Sequence, residues 1–373
     1  MGQGGKSHKL RLLPTPPPPP FFLCVEKSTV YLRTYIGTIL LVHSNFFQTS
    51  EFPRTVLNFT CPIAMSSTLS LPPGFAFTQT IHNAPYPTIS PSRPELSQAG
   101  RAVLITGGHT GIGYAIARAF AKAGAERLII VGRRNDMVSS AAKLLGSEFP
   151  STQAIGRRCD VADLGSVNTL WKDLAKEGIL VDVVVLNAAK LSAQPILDLG
   201  KEAVWEEYVM NVRAHLDFTE RLYKQPGAED RQKALINLTS LAIHETQLTG
   251  QYPSYGATKS AGTMLLQQIA KDVSADKLQI VSYHPGGVFT ELAEQAGFKR
   301  DDPRWDDEDL PGQFAVWAAS PEAKFLHGRF VWAKWDVTEL REGPLRMRID
   351  KDNSFLKVGV MGIEEWESTR RAL

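Results

Sequence analysis

The chain is poor in the features that mark special classes of protein. Its 373 residues include three cysteines, Cys24, Cys61 and Cys159, none close to another. That spacing supports neither a disulfide framework nor a zinc site, so a reducing compartment, the cytoplasm, is the expected setting. A net charge of +2 argues against a general binder of nucleic acid or membrane surfaces. There is no internal repeat of solenoid type, and no uninterrupted apolar run long enough to span a bilayer. The best candidate, residues 30–47, is apolar only in patches and carries Arg33 and His43. It is too short and too broken for a span. A short amphipathic or buried segment is expected there, with membrane attachment the weaker alternative. The basic start, with Lys6, Lys9 and Arg11, would suit a signal peptide, but prolines 14 and 16–20 fall where its apolar region belongs. That proline run favours polyproline II and builds no core alone.

What is present is the composition of a globular protein, 43% hydrophobic and 21% charged. From Arg101 onward, apolar β-branched runs at residues 102–105, 128–131, 181–186, 235–238 and 280–283 alternate with helical patterns. The patterns lie near residues 111–122, 136–145, 164–176, 204–223 and 255–273, and Phe330 to Trp332 adds a last strand. Short strands separated by helices imply a parallel sheet covered on both faces. Ligands of such sheets bind beyond the carboxyl ends of the strands.

The stretch from Thr106 to Gly113, Thr-Gly-Gly-His-Thr-Gly-Ile-Gly, lies at such an end. Gly107, Gly111 and Gly113 permit positive φ and close approach of a ligand. The helix start that follows offers free N–H groups and a positive dipole end to a pyrophosphate. The spacing is not the G-x-G-x-x-G of many dinucleotide folds. It resembles the T-G-x-x-x-G-x-G turn of the short-chain dehydrogenase/reductase family. That resemblance implies a Rossmann-type doubly wound parallel sheet, class α/β, in a single domain. Thr106, Gly107, Gly111, Ile112 and Gly113 are then expected to hold the cofactor.

Five further segments carry the resemblance in the family's order, and it covers roughly residues 75–345. Twenty residues past Gly113 stand Arg133 and Arg134. An arginine at this strand end accommodates a 2′-phosphate, where a carboxylate would bond the ribose hydroxyl. NADP(H) is therefore the expected cofactor, with Asp136 keeping NAD(H) open. Asp160-Val161 resembles the pair whose aspartate reaches the adenine, while Asp163 is the better helix cap. Asn187-Ala188-Ala189 aligns with the end of the family's Asn-Asn-Ala-Gly. Leu186 and Ala189 depart from it. Val288 and Thr290, in Pro285-Gly-Gly-Val-Phe-Thr290, resemble the segment beside the nicotinamide.

Tyr255 and Lys259 are four apart, which puts a phenol and an ammonium on one helix face about 5–6 Å apart. A neighbouring cation favours the phenolate and is expected to pull the tyrosine below its ordinary pKa near 10. Such a group exchanges a proton with an alcohol or carbonyl oxygen. The resemblance makes Tyr255 the acid/base and Lys259 its partner and a ligand of the nicotinamide ribose. It makes Ser240 the residue that orients the substrate oxygen, and Asn211 the holder of a relay water. Ser240 lies 15 residues before Tyr255, two more than the common spacing, which leaves Thr239 as its alternative. His284 reads as a strand-end residue. No metal site is expected.

The function so implied is an NADP(H)-dependent oxidoreductase. It would interconvert a ketone or aldehyde with an alcohol, on an apolar small molecule, in a setting such as secondary metabolism. The alternative, prompted by Leu186, Ala189 and the longer Ser240 loop, is a non-catalytic NADP(H)-binding sensor or scaffold. Phe289, Leu292, Phe298, Trp305 and Phe314 are candidates for the substrate pocket or the core. Family members often pair through two long helices, so residues 204–223 and 255–273 are expected to form a homo-oligomer. Residues 65–100 resemble the lead-in of fungal members. Residues 1–64 then read as a disordered extension or a misplaced start preceding Met65. Residues 101–345 form the NAD(P)-binding domain and 346–373 a charged tail.

Overall fold

The computed structural model describes residues 76–245, 252–295, 299–301, 303, 305–360 and 370, together with three short strands nearer the start. The chain divides into two compact units, Met1–Thr68 and Leu69–Leu373. In the first, β1 (Phe22–Glu26), β2 (Thr29–Arg33) and β3 (Ile39–His43) form an antiparallel meander in that order. These strands lie inside the stretch expected to be an extension. Met65 lies outside the described residues.

The second unit is built on a seven-stranded parallel sheet of order β10-β9-β8-β7-β4-β5-β6. Its strands are β4 (Ala102–Thr106), β5 (Arg127–Gly132), β6 (Gln153–Arg158), β7 (Val183–Leu186), β8 (Lys233–Leu238), β9 (Leu278–His284) and β10 (Arg329–Trp332). Side chains alternate across the sheet as the two-residue period requires. Val103 and Ile105 pack on one face, with Ile116, Phe120, Phe314 and Trp317. Leu104 enters the opposite core, with Ile129, Trp171, Phe218 and Leu266. Edge strand β6 is mostly half-exposed. For that reason it shows no apolar run in the sequence.

The helices covering the sheet begin with α1 (Gly111–Lys122), α2 (Asn135–Glu148) and α3 (Leu164–Lys176), and α1 and α3 have the bounds that the pattern gives. After β7 come α4 (Ile196–Leu199), α5 (Lys201–Tyr208), a π-helical turn (Val209–Arg213) and α6 (Ala214–Tyr223). The single helix expected over residues 204–223 is thus interrupted. The long α7 (Pro253–Asp272) follows, then α8 (Glu291–Gln295), α9 (Asp309–Ala318), α10 (Val337–Arg341) and α11 (Gly343–Lys351).

The lead-in is tied to the far end of the unit. His82 pairs with Asp336 at 2.8 Å, Phe77 stacks on Trp335 at 4.2 Å, and the Gln79 and Thr80 N–H groups donate to Glu339. Helix α11 crosses the boundary expected at residue 345, and Arg329 from β10 donates to the carbonyls of Ile349, Asp352 and Phe355. Among the described residues no helix is long and apolar enough to cross a membrane.

Candidate active site

The sheet order reverses between β4 and β7, which makes the space beyond their carboxyl ends a topological switch point. A cavity of about 640 Å³ opens there. Its floor is the glycine turn. Gly107 and Gly111 have φ of +65° and +51°, a region open to glycine and costly for other residues. Gly113 is required by space instead. A Cβ there would lie 2.3 Å from the Gly107 carbonyl oxygen and 2.6 Å from Asn187 Nδ2.

Thr106 and Asn187 hold this turn to the sheet. The Thr106 hydroxyl donates to the Val185 carbonyl at 3.2 Å and accepts from the Asn187 and Ala188 N–H groups at 3.0 and 3.1 Å. Asn187 Nδ2 donates to the Thr106 and Gly107 carbonyls at 2.9 and 3.2 Å. Leu186 is fully within β7 and buried, so its departure from the family pattern leaves the turn intact.

Toward β5 the cavity is bordered by Arg133, Arg134, Asp160 and Val161. Arg134 pairs with Glu291 at 3.3 Å and approaches His109 Nε2 at 3.5 Å. His109 is half-buried, and burial together with Arg134 holds its pKa below the usual value. Asp160 accepts from the Ala162 N–H at 2.9 Å. Asp163 caps α3, accepting from Gly165 and Ser166, as expected.

At the other end the cavity is lined by Leu238, Thr239, Tyr255, Lys259, Met210 and Pro285, while Thr290 lies beside Gly111 of the turn. Lys259 is 2% exposed, its Nζ donates to the Leu238 carbonyl at 2.7 Å, and it lies 5.7 Å from the centroid of the Tyr255 ring. Burial pulls its pKa down to about 8. Tyr255 is half-buried and lines the cavity. Enclosure raises the phenol well above 10, the Glu207 carboxylate adds to this, and a hydrogen bond with Ser240 works the other way. The downward pull expected from Lys259 is therefore not what governs the phenol here. The ammonium donates to the Leu238 carbonyl and lies on the ring side of Tyr255.

The geometry separates Ser240 from Thr239. Thr239 is buried and its hydroxyl accepts from Thr263 at 2.9 Å. Ser240 opens a short 3-10 turn (Leu241–Ile243), accepts from the Ala242 N–H at 3.2 Å, and reaches the phenol. Asn211 is fully buried inside the π-turn. Its amide accepts from the Lys190 N–H at 2.9 Å and donates to the Lys190 carbonyl and to Thr258 Oγ1, both at 2.9 Å. These bonds tie the loop after β7 to α7, and the widened turn aims the side chain at both. π-turns inside helices concentrate at functional sites for this reason.

A family model described as short chain dehydrogenase matches residues 101–301. The chain is a short-chain dehydrogenase/reductase. The short chain dehydrogenase/reductase nsrO of Aspergillus novofumigatus is 34% identical over 291 residues, covering 76% of this chain and 96% of the relative. A short chain dehydrogenase/reductase of Claviceps purpurea is also 34% identical, over 76% of this chain and 94% of its own length. Among solved structures, a protein assigned as an NAD(P) dependent gluconate 5-dehydrogenase from Beutenbergia cavernae, with bound NADP, is 25% identical with a TM-score of 0.57. It covers 64% of this chain and 97% of that one. L-sorbose reductase from Gluconobacter frateurii superimposes with a TM-score of 0.58 over 64% of this chain and 96% of its own, at 24% identity. As a member of this oxidoreductase family, the chain is expected to bind a nicotinamide cofactor and act on a small molecule.

Of the aromatic candidates, Phe314 is fully buried core, and Phe289 is half-buried with its ring edge-to-face on Trp305 at 5.5 Å. Phe298 and the Leu292 side chain lie outside the described residues. The reading of the sequence missed His109, Met210, Thr258 and Glu207. His109 was quoted within the glycine turn but carried no pattern of its own. The other three become visible only when α5, the π-turn and α7 are packed together.

Proposed function

We propose that this short-chain dehydrogenase/reductase interconverts a carbonyl and an alcohol on an apolar small molecule, with NADP(H) as cofactor. The observation that carries the reading is that Tyr255 and Lys259 line one end of a cavity whose other end is a glycine turn, with Ser240 hydrogen-bonded to the phenol. The turn suits a pyrophosphate: at Gly113 a side chain would collide with the Gly107 carbonyl, and helix α1 begins at Gly111 with no side chain capping its first turn. Arg133 and Arg134 border the part of the cavity that would hold a 2′-phosphate, and the Beutenbergia cavernae protein carries NADP. Val288 and Thr290 would flank the nicotinamide and Asp160 the adenine. The bound nicotinamide supplies or accepts the hydride.

The protein's own part is proton handling and positioning. Tyr255 gives its proton to the carbonyl oxygen, or takes one from the alcohol, while Ser240 holds that oxygen. Enclosure keeps the phenol protonated, the form that reduction requires. Lys259 binds the nicotinamide ribose, and Asn211 fixes the loop at Lys190 against α7, keeping the proton path in register. The proposed context is secondary metabolism in a reducing, cytoplasmic setting, the latter because the three cysteines are scattered. Trp205, Leu216 and Tyr223, exposed along α5 and α6, supply an apolar face for a homo-oligomer, measurable by sedimentation.

The test is turnover of ketones with NADPH by the purified chain, alongside Tyr255→Phe. Activity in the parent and its loss in the variant, with NADPH still bound, are expected. Tight NADPH binding with no turnover of a broad carbonyl panel would instead favour a non-catalytic sensor. Arg133→Ala tests the cofactor: its NADPH affinity should fall about tenfold, roughly 1.4 kcal/mol, with NADH little changed.

A further inference from the structure

Pro285 and Thr290, at the two ends of the segment that leaves β9, line the cavity, and Thr290 lies against Gly111 of the glycine turn. The segment is gripped from a distance. The Gly287 N–H donates to Asp306 Oδ2 at 2.8 Å, and the Asp306 N–H donates to the Gly287 carbonyl at 2.6 Å. One aspartate thus holds both peptide groups of Gly287 from 19 residues along the chain. Its other oxygen, Oδ1, accepts from Lys334 Nζ at 2.7 Å, and the two side chains are only 2% and 15% exposed. Gly286 has a φ of +94°, and a Cβ on it would lie 2.6 Å from Asp306 Oδ2. The carboxylate fills the space that any larger residue at 286 would need.

The clamp is itself supported from the lead-in. The His82 N–H donates to the Lys334 carbonyl at 2.8 Å, and the Asp307 N–H donates to the Asn83 carbonyl at 2.8 Å. His82, Asn83, Asp306 and Lys334 all lie outside the matched stretch, residues 101–301. Burying an ion pair gains little net stability over apolar packing of the same volume. What this pair does achieve is a fixed place for one turn. Every charged oxygen of Asp306 has a partner, and one of those partners is the turn.

We propose that Asp306, with Lys334 as its counter-charge, is a positioning residue that fixes residues 285–290 against the nicotinamide half of the cofactor. The proposal rests on the cofactor reading given above. Asp306 does not line the cavity. It acts through the backbone of Gly286 and Gly287. The glycine turn and Arg133, which would hold the adenylate half, stand on other elements. Loss of Asp306 therefore separates the two halves of the cofactor.

The experiment is calorimetric titration of the full chain, and of Asp306→Ala, Asp306→Asn and Lys334→Met, with NADPH and with 2′,5′-ADP. In Asp306→Ala, NADPH should bind about tenfold more weakly or worse, while 2′,5′-ADP changes by less than about twofold. Asp306→Asn, which keeps an acceptor for the Gly287 N–H, should recover part of the loss. If Asp306→Ala fails to fold, the same split between the two ligands is required of Asp306→Asn and Lys334→Met. Equal weakening of both ligands marks a general structural role and overturns the proposal, as does unchanged NADPH binding. A parent chain that prefers NADH is put to the same test with NADH and ADP. A parent chain that binds no dinucleotide overturns the cofactor reading itself, and the proposal with it. A parent that binds both ligands, with variants showing no split, overturns the proposal alone.

Discussion

The glycine turn and the Tyr255–Lys259 face border one cavity, yet they are held by different forces. At the turn, the surface offered to a ligand is backbone, shaped by missing side chains and pinned by Thr106 and Asn187. At the other end the surface is made of side chains whose polar groups are buried. Lys259 is 2% exposed, and His215 and His284 nearby are 3% and 7% exposed. The backbone of the turn carries no titratable group, and the one histidine within it, His109, is held below its usual pKa by burial and Arg134. Buried ionisable groups give chemistry but make their surroundings sensitive to protonation.

The strongest way to break this comparison is Tyr255→Phe. It removes one oxygen from the side-chain end and leaves the backbone end whole. Turnover should fall by about 10²- to 10⁴-fold while NADPH affinity stays within about twofold, a split read from steady-state rates and calorimetry on one preparation.

Acid should strike the same end next. Burial holds the pKa of His215 and of His284 down to about 3, against an ordinary value near 6.5. Below pH 6.5 the unfolded chain takes up protons that the folded chain refuses, so stability falls as pH falls from about 6.5 toward 3. At pH 5 the loss is about 2 kcal/mol for each histidine. Urea midpoints at pH 7 and pH 5 measure it, and His215→Gln should remove about half of the difference. An identical pH dependence in that variant would show that His215 is not the group responsible.

Gly113→Ala attacks the backbone end. The added methyl has no room beside the Gly107 carbonyl and Asn187, so about 1–3 kcal/mol of stability should go, with NADPH affinity lost and the pH dependence unchanged. Thermal unfolding at two pH values separates these effects. The smallest expected change is in Asp163→Ala, which deletes the cap of α3 without touching either end. It should cost about 1 kcal/mol and leave binding and turnover alone.

Much of the backbone end was legible in the sequence because its determinants are local. The glycines, the apolar strand before them and the helix after them sit within about twenty residues, and α1 and α3 have the bounds that pattern and cap imply. The seven-stranded parallel sheet follows from alternation of the same kind. Edge strand β6 was the weak point, since half-exposed residues blur the period. At the other end, Tyr255, Lys259, Ser240 and Asn211 could be named, but not their state. The direction of the Tyr255 shift depends on enclosure and on Glu207, and Asn211 sits in a π-turn because Lys190 and Thr258 claim its amide. Asp306 left no signal, since nothing near it in the chain reveals that it will meet Gly287.

The sequence by itself determined the sheet and the glycine turn and named Tyr255 and Lys259 at the cavity, because propensity, period and backbone sterics act between near neighbours. Only the tertiary structure decided which of those groups are desolvated, which hydroxyl of Thr239 and Ser240 reaches the phenol, and what grips the turn after β9. Desolvation and hydrogen bonding depend on atoms brought together from distant parts of the chain, and those distances exist only after folding.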